Sequence, residues 1–338
     1  MLRRAPCPVS EFAASVAAPV PADRTDRCAA QSALRADPML GTAFPASRLL
    51  LVEQPGPWGR AGLLDSRFDR RVARRLIARL DAGGVRVLAI RRAGRSAVSG
   101  PRRWGFADCR PGRESMRWGT FDEDAELLGL DAESLAEVPA HDAAGVVHLP
   151  AAGAARLPRA GSPVFLVCAH GTHDVCCAMR GRPVAAALTA VRPGQVWECS
   201  HVGGDRFAAN VLVLPTGVLY GRLPESAAAL LADCADRGRV LERHLRGRVG
   251  FPPDQQAALA HIHREMPGLS LDQVEPLGSS RVEPGVSAVR VRAGEGVFEV
   301  SVRAEQSPRQ WLTCQASQPS SATVYRPESI RPALAHGA

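Results

Sequence analysis

The chain has 338 residues and a formal charge of +8, and all 42 of its basic residues are arginines. With no lysine anywhere, a P-loop, a protein-kinase β3 lysine and Schiff-base chemistry are excluded, because each needs an amine at a fixed place. No apolar run reaches about 18 residues, so no membrane-spanning helix is expected and a cytoplasmic protein is the default.

Residues 1–27 are rich in Ala, Pro and Arg without periodicity and read as a disordered leader. Pro8 and Glu11 interrupt any secretory h-region. The apolar run RLLLVE at 48–53 ends in the turn cluster QPGPWG and predicts a strand. Val72, Leu76, Ile77 and Leu80 share one helical face, stopped by Gly83 and Gly84. The arginines around them at 70, 71, 74 and 75 fit the solvated side of that helix. With aromatics at 5%, no stacking platform for a nucleic acid accompanies them. VRVLAIR at 85–91 is a second strand, giving a β-α-β opening. A loop-rich stretch follows, with a linker at 149–162.

PVFLVC at 163–168 predicts a strand that ends on a cysteine. A helix over 176–191 follows, which Pro183 is expected to kink or restart. QVWEC at 195–199 is the next strand, 209–214 and 218–223 form a hairpin, and 226–236 is a helix. A helix at 255–266 and a strand pair, 286–292 with 297–303, complete the elements. His261 and His263 on that last helix read as surface or interface residues.

The fold class expected is α/β: a thioredoxin-like ferredoxin domain, with a mixed sheet flanked by helices, beside an N-terminal α/β domain and a small α+β C-terminal extension. The boundaries expected are 28–150 for the N-terminal domain, 160–250 for the thioredoxin-like domain, 251–320 for the extension and 321–338 for a tail.

Nine cysteines are present. Cys28, Cys109 and Cys234 read as small buried hydrophobes, and Cys314 as core packing that could approach a site. In contrast, Cys168, Cys176, Cys177 and Cys199 fall between residues 168 and 201 together with His170, His173 and His201. In a reducing compartment that grouping reads as metal or redox chemistry. Cys168 ends a buried strand, and Cys176-Cys177 fall at a helix start, where free amides and the helix dipole favour thiolate. Residues two apart on a strand point the same way, so Cys199 and His201 can face one centre. Thiolates and imidazole together suit an iron–sulfur cluster or zinc.

The segments CAHGTHDVCC (168–177), WECSHVGGDRFAAN (197–210) and LPTGVLYGRL (214–223) resemble the sucrase/ferredoxin-like family, whose core is a thioredoxin-like 2Fe–2S ferredoxin. LVEQPGPWG (51–59) and WGTF (118–121) resemble its N-terminal half. By position the resemblance implies Cys168, Cys177, His201 and Asp205 as cluster ligands. Fungal members carry a histidine where Asp205 stands. A carboxylate is an uncommon cluster partner, so Cys199 is the preferred fourth ligand, with Asp205 and Cys176 as alternatives. Asp205 then bonds His201 or pairs with Arg206. His170, His173, Arg206 and Asn210 are expected to surround the centre, with Asn210 ordering the loop by side-chain hydrogen bonds.

The function expected is single-electron transfer to or from a redox partner such as a flavoprotein reductase, through a 2Fe–2S cluster with mixed Cys/His ligation. The alternatives are a thiol–disulfide oxidoreductase and a zinc-stapled interaction module. No catalytic acid–base apparatus is visible, so a redox carrier fits better than a substrate-converting enzyme.

Overall fold

The computed structural model describes residues 27–94, 100–131, 135 and 161–333. All but the last residue of the leader at 1–27 and most of the linker at 149–162 lie outside them.

Strand β1 (Arg48–Glu53) is followed by helix α2 (Arg70–Ala82) and strand β2 (Val85–Arg91), after a short α1 (Cys28–Leu34). Asp69 caps α2 by accepting from the amides of Arg71 and Val72. Ala73, Leu76 and Leu80 are buried while Arg70, Arg71, Arg74 and Arg75 face solvent, as the helical period requires. β1 and β2 pair in parallel. A hairpin, β3 (Arg102–Asp108) and β4 (Ser115–Phe121), then adds to β1. This stretch was expected to be loop-rich, because its strands carry Gly105, Gly119 and three arginines that hide the alternation. The glycines are there for room: a Cβ on Gly119 would lie 2.5 Å from the Trp104 ring.

The second half supplies β5 (Val164–Cys168), α3 (Val175–Val191), β6 (Val196–Cys199), the hairpin β7 (Val211–Leu214) and β8 (Val218–Tyr220), α4 (Ala228–Asp236) and β9 (Leu245–Arg248). This is the strand, helix, strand, hairpin, helix order of the sequence. Helix α3 is continuous through Pro183 rather than restarting there. All nine strands form one mixed sheet in the order β4-β3-β1-β2-β6-β5-β7-β8-β9. The two halves join where Ile90 and Arg91 pair antiparallel with Cys199 and Glu198.

Alternation along the strands sorts the core into layers. On β1, Leu50 and Val52 pack under α2, and Leu49 and Leu51 face the opposite side. On β5, Phe165 and Val167 pack against Val184, Ala185 and Leu188 of α3, and Val164, Leu166 and Cys168 face away. Full burial of each such side chain contributes about 1.5–3 kcal/mol.

Helix α5 (Pro253–Glu265) bridges to a second, antiparallel sheet, β10 (Val274–Glu283), β11 (Val286–Ala293), β12 (Gly296–Gln306) and β13 (Thr323–Pro332), in that order. The sequence showed only the central pair. β10 is largely exposed and lacks a buried alternation, and β13 lies in the segment expected to be a tail. His263 is not at the surface: it is buried on α5, and burial lowers its pKa to about 4, with Arg248 adding to the effect. Among the described residues no helix is long and apolar enough to cross a membrane.

Candidate metal centre

β5 and β6 run parallel, with Cys168 opposite Cys199 at their carboxyl ends. Loops at this edge of a sheet commonly carry ligands. Immediately beyond, residues 169–174 turn the chain into α3, which passes very close over the strand end. A Cβ on Gly181 would stand 2.1 Å from the Cys168 carbonyl oxygen, so only glycine lets the helix lie there. The result is that Cys177, in the first turns of α3, reaches Cys168.

Ligand atoms of Cys168, Cys177 and His201 all lie within 4.8 Å of one another, as do those of His173, His201 and Asp205. Cys177 Sγ is 3.2 Å from Asp205 Oδ1, and His201 Nδ1 is 2.9 Å from the same oxygen. His201 and Asp205 face each other as an ion pair without meeting hydrogen-bond geometry. His173 stacks on His201 with centroids 3.8 Å apart, and its Nε2 is 3.9 Å from Asp205 Oδ2.

The other expected residues take different places. Cys199 is buried beside Cys168 across the sheet but does not join either group of ligand atoms. The reason is that β6 ends at Cys199, so the two-residue alternation expected to align it with His201 does not continue. His170 orients the centre without belonging to it. Its Nε2–H donates to Gly59 O at 2.7 Å and its Nδ1 accepts from the His201 amide at 3.2 Å. Arg206 lies over the Phe207 ring, and Asp205 pairs with His201 instead of with it. Asn210 Nδ2 donates to Gly204 O at 3.0 Å, and Asn210 Oδ1 accepts from Arg246 at 2.8 Å.

Two arginines, Arg246 buried and Arg86 half-buried, which no sequence signal marked in so arginine-rich a chain, complete the surroundings. Arg246 also donates to Gly203 O at 2.9 Å and to Thr42. A Cβ on Gly204 would sit 2.5 Å from that guanidinium, which explains one of the paired glycines. Burial pushes Arg246 down to about 9, so it stays charged at neutral pH. Arg86 donates to His201 O at 3.0 Å and faces the thiols of Cys199 and Cys168. Hydrogen bonding from Cys177, reinforced by His201, holds Cys168 well below the usual thiol range despite burial. Cys177 is pushed up in exchange. Burial opposes charge on His201, but Asp205 and Cys168 outweigh it and raise His201 to about 9.

Cys176 faces elsewhere, toward Cys28, Asp174 and Cys314, and these four form a separate group of mutually close ligand atoms. Cys28 is buried with Ala29 and Ala208 as expected, whereas Cys314 is exposed rather than packed in the core.

The model of the sucrase/ferredoxin-like family matches residues 39–247. Altered inheritance of mitochondria protein 32 of Meyerozyma guilliermondii is 33% identical over 98 residues, 25% of this chain and 34% of the relative. The chain thus spans about a third of the length of that relative. A thioredoxin-like 2Fe–2S ferredoxin from Aquifex aeolicus aligns over 27% of this chain and 96% of its own, at 20% identity and a TM-score of 0.24.

Proposed function

This chain belongs to the sucrase/ferredoxin-like family, and we propose that it is an electron-transfer protein holding a 2Fe–2S cluster with mixed ligation. The observation that carries the reading is the convergence of Cys168, Cys177 and His201, with Asp205 in contact with two of them. Two thiolates, an imidazole whose Nδ1 lies 2.9 Å from Asp205 Oδ1 and the Asp205 carboxylate supply four donors. Asp205, rather than Cys199, is the fourth ligand in this proposal.

A 2Fe–2S cluster bound there supplies one-electron chemistry at a potential set by its ligands and their surroundings. As cluster ligands Cys168 and Cys177 would be thiolates and His201 a neutral donor, which favours the reduced state relative to four thiolates. Arg86 and Arg246 add positive potential from fixed, hydrogen-bonded positions. His170 fixes the His201 backbone. The His173 and His201 side chains are 29% and 23% exposed, which makes their ring edges the short path to a redox partner. A flavoprotein reductase with an acidic docking face suits the net charge of +8.

A second reading, a single zinc ion at the same residues, is favoured by the compactness of the Cys168, Cys177 and His201 atoms. Cys176 and Cys177 face separate clusters, which gives no support to a thiol–disulfide dithiol. Metal content and visible absorption of anaerobically purified protein test the proposal: iron, sulfide and a red-brown colour support it. A colourless zinc protein from iron-replete cells overturns it.

A further inference from the structure

Three thiols from distant parts of the chain meet beside the first centre. Cys28 opens α1, Cys176 lies in the first turn of α3, and Cys314 sits in the connection between β12 and β13. Their Sγ atoms are 3.7 Å apart for Cys28 and Cys176, and 3.5 Å apart for Cys176 with Cys314 and for Cys314 with Cys28. Asp174 Oδ2 is 3.6 Å from Cys28 Sγ. A tetrahedral ion with bonds of about 2.3 Å to sulfur and about 2.0 Å to oxygen spaces two sulfurs about 3.8 Å apart and sulfur from oxygen about 3.5 Å. The observed spacings sit within a few tenths of an ångström of that figure.

The surroundings fit ligation better than packing. Cys314 is exposed, so it buries little apolar surface in joining the group. The Cys28 amide is directed at Cys314 Sγ at 3.4 Å, an interaction that a thiolate accepts well. Asp174 is tied from both sides: Oδ1 accepts from the Cys176 amide at 2.8 Å and Oδ2 from the Cys314 amide at 2.7 Å. Its carboxylate is thereby aimed from a fully buried position.

We propose that Cys28, Cys176 and Cys314, with Asp174 as the fourth donor, form a second metal site of the structural zinc type. Three thiolates and one carboxylate suit a tetrahedral, borderline-soft divalent ion. The site fastens α1 and the β12–β13 connection onto the turn of α3 that presents Cys177. Gln315 already reaches that turn, donating to Thr172 O at 3.2 Å. The inference stands on different residues from the first centre and does not depend on what that centre holds.

The test uses the full chain, handled anaerobically. Wild type is expected to carry one zinc beyond whatever the first centre holds, and Cys314→Ser, a change at an exposed position, is expected to lose it while keeping the visible spectrum of the first centre. In a Cys168→Ala background, stripped protein titrated with Co2+ is expected to bind one equivalent with thiolate-to-cobalt charge-transfer absorption, at least tenfold more tightly than its Cys314→Ser derivative. Equal cobalt affinity in the two proteins, or zinc content unchanged by Cys314→Ser, overturns the proposal. So does a disulfide among the three cysteines found by mass spectrometry of anaerobic wild type.

Discussion

Cys176 and Cys177 are consecutive in the chain yet serve different clusters: Cys177 Sγ is 3.2 Å from Asp205 Oδ1, while Cys176 Sγ is 3.5 Å from Cys314 Sγ. Successive side chains on a helix diverge by about 100°, so one turn of α3 faces two groups. Cys177→Ala is expected to abolish the visible chromophore with other metal content retained. Cys176→Ala is expected to do the reverse. Parallel metal analysis and absorption spectra of the two variants check this, and loss of both metals in either variant would show one joint centre instead.

His201 contributes imidazole where an all-thiolate site has sulfur. Replacing it by cysteine adds negative charge to the ligand set, and His201→Cys is expected to lower the reduction potential by on the order of 100 mV or more. Redox titration followed by absorbance measures it. An unchanged potential in a loaded variant would remove His201 from the ligand set.

Arg246 and Asn210 lock the loop that carries His201 and Asp205, through Gly203 O, Gly204 O and each other. Asn210→Ala leaves the buried Arg246 donor and the Gly204 carbonyl short of a partner, at a cost of about 1–3 kcal/mol. The variant is expected to melt a few degrees lower and to lose its metal faster to a chelator. Calorimetry and chelator kinetics read the two effects.

His263 gives the fold a pH dependence away from the metal groups. Its pKa is near 4 in the folded chain, lowered by burial and by Arg248, against about 6.5 unfolded. The unfolded chain binds more protons between these values, so stability is full above about pH 6.5 and falls as pH drops toward 4, by roughly 3 kcal/mol in all. Denaturant melts of His263→Leu are expected to show a flatter profile over that window. An identical slope in wild type and variant would contradict the assignment.

Much of the arrangement was legible from residue order. The apolar strands β1, β2, β5, β6 and β7 stand out because they are largely buried, and Gly83 marks the end of α2. The hairpin β3–β4 and the outer strands β10 and β13 were not, since arginines, glycines and exposed polar residues mask their period. The grouping of Cys168, Cys177 and His201 followed from spacing and resemblance. Cys199 did not follow, because alternation stops where β6 stops. Cys28 and Cys314 were invisible as partners: they lie 148 and 138 residues from Cys176, and only the tertiary fold brings them there.

The central claim is that an imidazole and two thiolates hold a 2Fe–2S cluster. Pulsed EPR of the dithionite-reduced protein tests this most directly. The account predicts a one-electron signal with strong nitrogen hyperfine coupling from a directly bound ring nitrogen, the coupling retained in Cys199→Ala and lost in His201→Cys while the cluster signal persists. A silent protein, or a cluster signal without such coupling, would contradict it.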